Sequence, residues 1–202
     1  MNEYLVIDNW YSEEEKNNVL KELDFLSTWE TVRTEEGHGT AKKDGKFLSK
    51  SFRMFPQQLY SQRGFDNSPM FKALKKMQHK DFHQKVTKTF ENTNTALDRI
   101  FIDTNVTSTI VNYYENNDSY EEHHDMFQFT VLIWLYKEPK SFVGGDLVFT
   151  RLNKTVECKN NRLVLFPCFY YHAVNPVIMK EDKSGYGRYA ITHFYYRTQF
   201  AG

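Results

Sequence analysis

Four side chains in the second half of the chain have the types and spacing for metal-assisted oxygen chemistry: His123, Asp125, His172 and Arg188. Residues at i and i+2 of an extended strand share a face. His123 and Asp125 can therefore aim at one point, while His124 points elsewhere. A third ligand must come from a distant strand, and His172 follows NRLVLFP, a run that reads as a strand and turn. Two imidazoles and one carboxylate occupy one face of an octahedron and leave three positions open, a donor set suited to iron(II). A His-x-Asp pair also arises by chance, and a lone strand histidine is more often a hydrogen-bonded core or surface residue.

Arg188 separates the two readings. It opens the run RYAITHFYY, in which Arg188 and Thr192 share a strand face with the small Ala190 between them. A guanidinium grips a carboxylate through two parallel hydrogen bonds. With the Thr192 hydroxyl beside it, this is a seat for the distal carboxylate of a dicarboxylate such as 2-oxoglutarate. Taken alone, the arginine would read as a surface salt bridge.

Such a site needs strands to carry it. After Ile100, short apolar-aromatic runs follow one another: Ser108 to Tyr114, Phe127 to Tyr136, Asp146 to Thr150, Arg162 to Phe166 and Arg188 to Tyr196. Polar or glycine-containing breaks separate them, and that pattern predicts a barrel or jelly roll. The 17 Phe and 13 Tyr point the same way. In the first half, Tyr4 to Ile7 is a strand candidate. Ser12 and Glu15 form a capping box ahead of a helix to about Leu26. Helical spacing returns from Ser68, with Phe71, Leu74 and Met77, then Phe82, Val86, Phe90 and Leu97, and Asp81 is a candidate cap for the second helix. The helices are expected to pack on the outside of a sheet. Between them, Thr34 to Gly64 reads as loops and short strands, a candidate lid, whose His38, Arg53 and Arg63 could face the substrate but read first as solvated loop residues. The expected organisation is one domain over residues 1–202. Residues 1–100 would form mixed α/β support and lid, and 101–202 a jelly-roll core holding the metal.

The 26 basic and 26 acidic residues cancel, which argues against a broad nucleic-acid face or an anionic membrane surface. Two cysteines cannot build a disulfide framework, and the N-terminus lacks a basic region followed by an apolar run. No apolar stretch reaches bilayer length. A soluble, cytoplasmic protein is expected, with its oligomeric state unread.

The stretches YENNDSYEEHHDMFQFTVLIWLY, GGDLVF, LFPCFYYHAVNPV and RYAITHFYY together resemble the prolyl 4-hydroxylase-type branch of the 2-oxoglutarate/Fe(II) oxygenases. The resemblance covers about Ser108 to Tyr196 and implies a double-stranded β-helix with the metal between its sheets. It implies His123, Asp125 and His172 as Fe(II) ligands, and Arg188 with Thr192 as the 2-oxoglutarate seat. Tyr114 and Tyr120 fall at aromatic positions near the cosubstrate. It further implies a dioxygenase that uses O2 to hydroxylate an unactivated C–H bond while 2-oxoglutarate becomes succinate. Asp125 argues for hydroxylation over halogenation, because related halogenases carry a small residue there. The branch favours a prolyl or other residue of a protein or peptide as substrate. A free amino acid or other small metabolite is the alternative, and a non-catalytic, cupin-like metal-binding protein is a further one. Nucleobase demethylases of the wider family carry a second arginine where this chain has Phe194, so nucleic acid ranks last. The chain departs from the family at Asn117 and Asp118, where glycine is common, and at Trp134, where a tyrosine often touches the cosubstrate. It departs also in the length of Ala173 to Gly187, expected to form a hairpin over the entrance.

Overall fold

In the computed structural model, residues 3–29, 31–37, 40–91, 96–181 and 183–198 are described. The first half contains β1 (Leu5–Ile7), α1 (Glu13–Trp29), β2 (Val32–Arg33), β3 (Lys42–Lys43), β4 (Lys46–Phe47), β5 (Ser49–Lys50) and β6 (Phe52–Met54). It continues with α2 (Pro56–Leu59), α3 (Gln62–Asn67), α4 (Pro69–Leu74), α5 (Lys80–Phe90) and α6 (Leu97–Ile102). The second half holds β7 (Val106–Tyr114), β8 (Ser119–His123), β9 (Phe129–Leu135), β10 (Phe142–Gly144) and β11 (Leu147–Phe149). Completing it are β12 (Lys154–Val156), β13 (Arg162–Pro167), β14 (His172–Val174), β15 (Val177–Met179) and β16 (Arg188–Tyr196).

The two periodicities of the strands account for the layers. A seven-stranded sheet runs β1-β13-β9-β16-β7-β6-β2, and a five-stranded sheet runs β12-β11-β14-β8-β5. On β9, Phe129, Val131, Ile133 and Leu135 pack with Val19, Leu23, Phe82, Val86 and Phe90 of the helices. The alternate residues Leu132 and Trp134 meet Leu147, Phe149 and Val174 of the smaller sheet. Because the large sheet is covered on both faces, β9 is buried throughout and apolar but for Thr130. The architecture is the expected double-stranded β-helix with helices on its outer face. Among the described residues no helix is long and apolar enough to cross a membrane.

The predicted capping box forms: Ser12 N–H donates to Glu15 Oε2 at 2.8 Å, and Glu15 N–H donates to Ser12 Oγ at 3.2 Å. Elsewhere the structure differs from the expectation. Asp81 does not cap α5; His79 holds that position without a side-chain bond, and Asp81 sits inside the first turn. Leu97 opens a separate helix, α6. In place of the expected hairpin over Ala173 to Gly187, β15 pairs with β10, where Gly144 lies directly opposite Val177 and a side chain at Gly144 would meet the Pro176 carbonyl. Residues 34–64 are only partly lid: β5 pairs with β8 and β6 with β7, so the first half of the chain supplies edge strands to both sheets. His38 lies outside the described residues.

Candidate functional site

The two histidines are brought together by register. His172 of β14 lies directly opposite His123 of β8, and the ring centroids are 4.3 Å apart. Asp125 arrives by a route different from the expected i and i+2 pairing, since β8 ends at His123 and Asp125 lies beyond the strand. Its position is set by its own N–H donating to the Cys168 carbonyl at 3.0 Å and by Thr130 Oγ1 donating to Asp125 Oδ2 at 2.5 Å. His123 Nε2 then stands 3.8 Å from Asp125 Oδ1, and His172 Nε2 stands 3.7 Å from Asp125 Oδ2.

Both imidazoles use Nδ1 elsewhere. His123 Nδ1 bonds the Glu121 carbonyl at 2.9 Å, and His172 Nδ1 bonds the Tyr170 carbonyl at 2.8 Å. Since a carbonyl can only accept, Nδ1 carries the proton, and the Nε2 lone pairs point toward Asp125. Burial and neighbouring His172 push the His123 pKa down to about 4, so this ring is neutral near pH 7. Ligand atoms of His123, Asp125 and His172 lie within 4.8 Å of one another. Two oriented imidazoles and one carboxylate match the donor chemistry of a facial Fe(II) site. His124 is exposed and outside the three-residue cluster, but contrary to expectation it lines the same cavity beside Asp125.

These residues line a cavity of about 690 Å³, within the ordinary range for small-molecule sites. Arg188, Ala190, Thr192 and Phe194 face it from alternate positions of β16. Arg188 is 1% exposed. Its guanidinium stacks over Tyr114 at 4.3 Å and its Nη1 donates to the Gly145 carbonyl, while Nε has no hydrogen-bond partner. Among the described residues no carboxylate pairs with it, although burying an uncompensated charge is costly. A bound carboxylate would supply the missing partner. Tyr120 stacks on His123 at 3.6 Å, and its hydroxyl accepts from the Ala41 N–H at 3.2 Å. Trp134 is fully buried behind Arg188, 5.8 Å from its guanidinium carbon, and does not line the cavity.

Sequence reasoning named Arg53 as able to face the substrate but preferred a solvated loop. Expected in a solvated loop, it is 3% exposed and lines the cavity. Its Nε donates to Asn112 Oδ1 at 2.9 Å. Arg63, by contrast, is exposed on α3 and outside the cavity lining. Thr130 and Asn112 were unforeseen. Hydroxyl and amide residues inside apolar strands were the available signal.

Residues 109–196 match the family model of the 2OG-Fe(II) oxygenase superfamily. No curated protein sequence matches the chain. Among solved structures, a Pseudomonas putida prolyl-4-hydroxylase is similar at 13% identity and TM-score 0.66, over 98% of this chain and 95% of that one. A prolyl hydroxylase from Trichoplax adhaerens, in complex with a hypoxia inducible factor oxygen degradation domain peptide fragment, is similar at 19% identity and TM-score 0.64, over 97% and 84%. The viral collagen prolyl hydroxylase of Paramecium bursaria Chlorella virus 1, in its 2OG complex, shows 13% identity and TM-score 0.53, over 96% and 94%. At these identities the structural likeness carries the fold, and the family match extends over residues 109–196, less than half of the chain.

Proposed function

We propose that the chain, whose residues 109–196 match the family model of the 2OG-Fe(II) oxygenase superfamily, hydroxylates a prolyl or other residue of a protein or peptide. The observation that carries this reading is the union, in one cavity, of the His123–Asp125–His172 cluster with the buried Arg188 guanidinium. When bound, Fe(II) supplies the oxidising chemistry: O2 and 2-oxoglutarate are consumed, succinate and carbon dioxide leave, and one oxygen atom enters a substrate C–H bond.

The chain's own residues perform the positioning. His123, Asp125 and His172 are the proposed ligands, with Thr130 fixing the carboxylate and two backbone carbonyls fixing the imidazoles. Arg188 and Thr192 grip the distal carboxylate of 2-oxoglutarate, and the Tyr114 ring holds the guanidinium plane in place. Tyr120 braces His123 from its other face. Ile110, Leu132 and Phe194 give apolar walls that limit water around the reacting carbon. At the mouth, Met126 is 91% exposed and Phe127 follows it, an apolar rim against which a peptide residue can seat.

A small carboxylate-bearing metabolite is the second reading, favoured by the second buried guanidinium, Arg53. The test is succinate release by iron-loaded protein in air, against free amino acids and then proline-containing peptides. Retention of zinc with no succinate under any condition would favour a non-catalytic metal-binding protein. Full iron-dependent turnover by Asp125→Ala would remove the assigned site.

A further inference from the structure

The segment carrying Asp125 and the segment leading to His172 are tied together at the cavity mouth. Asp125 N–H donates to the Cys168 carbonyl at 3.0 Å, and Cys168 N–H donates to the Gln128 carbonyl at 2.9 Å. Both segments present apolar side chains to solvent: Met126 is 91% exposed and Phe169 58%. His124 lines the cavity, and its ring meets Tyr171 with centroids 5.1 Å apart at 65°. Arg151, two residues beyond β11, lies over the Tyr171 ring with its guanidinium carbon 3.2 Å from the centroid. A row of side chains therefore leads out of the cavity, from His124 through Tyr171 to Arg151.

Backbone pairing fixes this row. Phe149 lies opposite His172 in the β11–β14 ladder, and the pairing continues one residue further. There Thr150 N–H and Oγ1 donate to the Tyr171 carbonyl at 3.1 and 3.3 Å, which holds Arg151 beside Tyr171. At 3.2 Å no N–H has room to point into the ring, so the guanidinium lies parallel to it and its N–H edges stay free of it. Arg151 is exposed, and among the described residues no carboxylate pairs with it. An arginine already stacked on an aromatic ring loses less freedom on gripping a carboxylate than a mobile surface arginine does.

Reach decides what kind of molecule can use this cation. The two ring contacts put the guanidinium within roughly 8 Å of the His124 ring, and extended chain advances about 3.3 Å per residue. A free amino acid seated at the metal cluster leaves Arg151 unused, whereas a peptide running out of the cavity passes it. Met126 and Phe169 offer apolar surface to neighbouring peptide residues. A nucleic-acid strand would need a run of cations along its path.

We propose that Tyr171 and Arg151 form a docking surface for a peptide substrate carrying an aspartate or glutamate about two to four residues from the hydroxylated position. The proposal rests on the oxygenase reading and names the substrate class within it.

The test measures binding without oxygen chemistry. Protein loaded with zinc and 2-oxoglutarate is titrated with short proline-centred peptides. A single aspartate, or asparagine as its neutral counterpart, is moved through every flanking position. Aspartate should bind about three- to five-fold tighter than asparagine at one or two of these positions, the range of a well-ordered exposed ion pair, and the gain should shrink as salt is raised. Arg151→Gln should remove the gain and leave the asparagine peptides unchanged. Arg151→Glu should transfer it to peptides with lysine at the same position, an exchange that a merely structural arginine would not produce. Absence of binding by every peptide, equal binding of aspartate and asparagine throughout, or an undiminished gain in Arg151→Gln would each overturn the proposal. Tighter binding of a single-stranded oligothymidylate than of any peptide, lost in Arg151→Gln, would also overturn it by assigning the row to nucleic acid. Iron-dependent succinate release, with and without peptide, is scored separately. Its absence in every condition removes the oxygenase reading, whereas its presence with no aspartate gain removes only the docking surface.

Discussion

Replacing Thr130 by valine tests whether the cluster is a metal site built by supporting contacts. Thr130 is buried, and its Oγ1 donates to Asp125 Oδ2 at 2.5 Å while lying 3.1 Å from Cys168 Sγ. Valine keeps the branched shape and removes the hydroxyl. A hydrogen bond to a charged group contributes roughly 1.5–3 kcal/mol. Loss of a residue that orients a ligand costs about ten- to a hundred-fold in metal affinity. These two magnitudes agree, so Thr130→Val should weaken metal binding by roughly ten- to a hundred-fold. Anaerobic Fe(II) or Mn(II) titration by calorimetry measures it, with Thr130→Ser as the variant that restores the hydroxyl. An affinity within about two-fold of wild type for Thr130→Val would refute the reasoning. A serine variant as weak as the valine variant would do the same, because packing rather than the hydroxyl would then be responsible.

His123→Ala and Asp125→Ala should each abolish succinate release and lower the metal content of the purified protein, read by elemental analysis. Arg188→Met should raise the 2-oxoglutarate requirement by at least about thirty-fold, the lower end expected for stripping a buried charge of its partner, and an unchanged requirement would move the anchor elsewhere. His193 should make the fold acid-sensitive. Burial lowers its pKa from 6.5 to about 4, so the unfolded chain takes up the proton first. Its contribution is complete above pH 6.5 and is lost as pH falls towards 4, a total of about 3 kcal/mol. Denaturant melts of wild type and His193→Phe between these pH values check it, and equal pH slopes would contradict it. Gly187→Ala should lower the melting temperature by several degrees, since a Cβ there would overlap the Tyr114 carbonyl oxygen beside the Arg188 pair.

Local chemistry made part of this molecule legible. The capping box was readable because both partners lie within one helical turn. Strand β16 was readable from end to end because RYAITHFYY is flanked by polar residues and a glycine. Arg53 was not readable, because its burial comes from pairing with Asn112, 59 positions away, and nothing local in a polar, glycine-bearing stretch encodes that register. The sequence grouped Asp125 with His123, and the structure brings their side chains together by a different route. Residue type carried the identification, whereas geometry came from Thr130 and the Cys168 carbonyl on other segments.

The pairing of the two histidines itself depends on an alignment made outside the cavity. A one-residue slip between β8 and β14 would turn one imidazole to the opposite face. The register is pinned at the far end by the turn between β7 and β8. Asn117 N–H donates to the Val177 carbonyl at 2.8 Å, and Val177 N–H donates to the Asp118 carbonyl at 2.9 Å. Asn117 takes the left-handed conformation, φ 65°, that asparagine tolerates better than most residues, so a glycine is unnecessary there. Asp118 does what a glycine could not: its carboxylate accepts both Arg33 amino groups at 3.2 Å and the Glu115 N–H at 2.9 Å. The departures at 117 and 118 thus exchange backbone freedom for a fixed turn. That turn holds β8 opposite β14 and keeps the two imidazoles on one side.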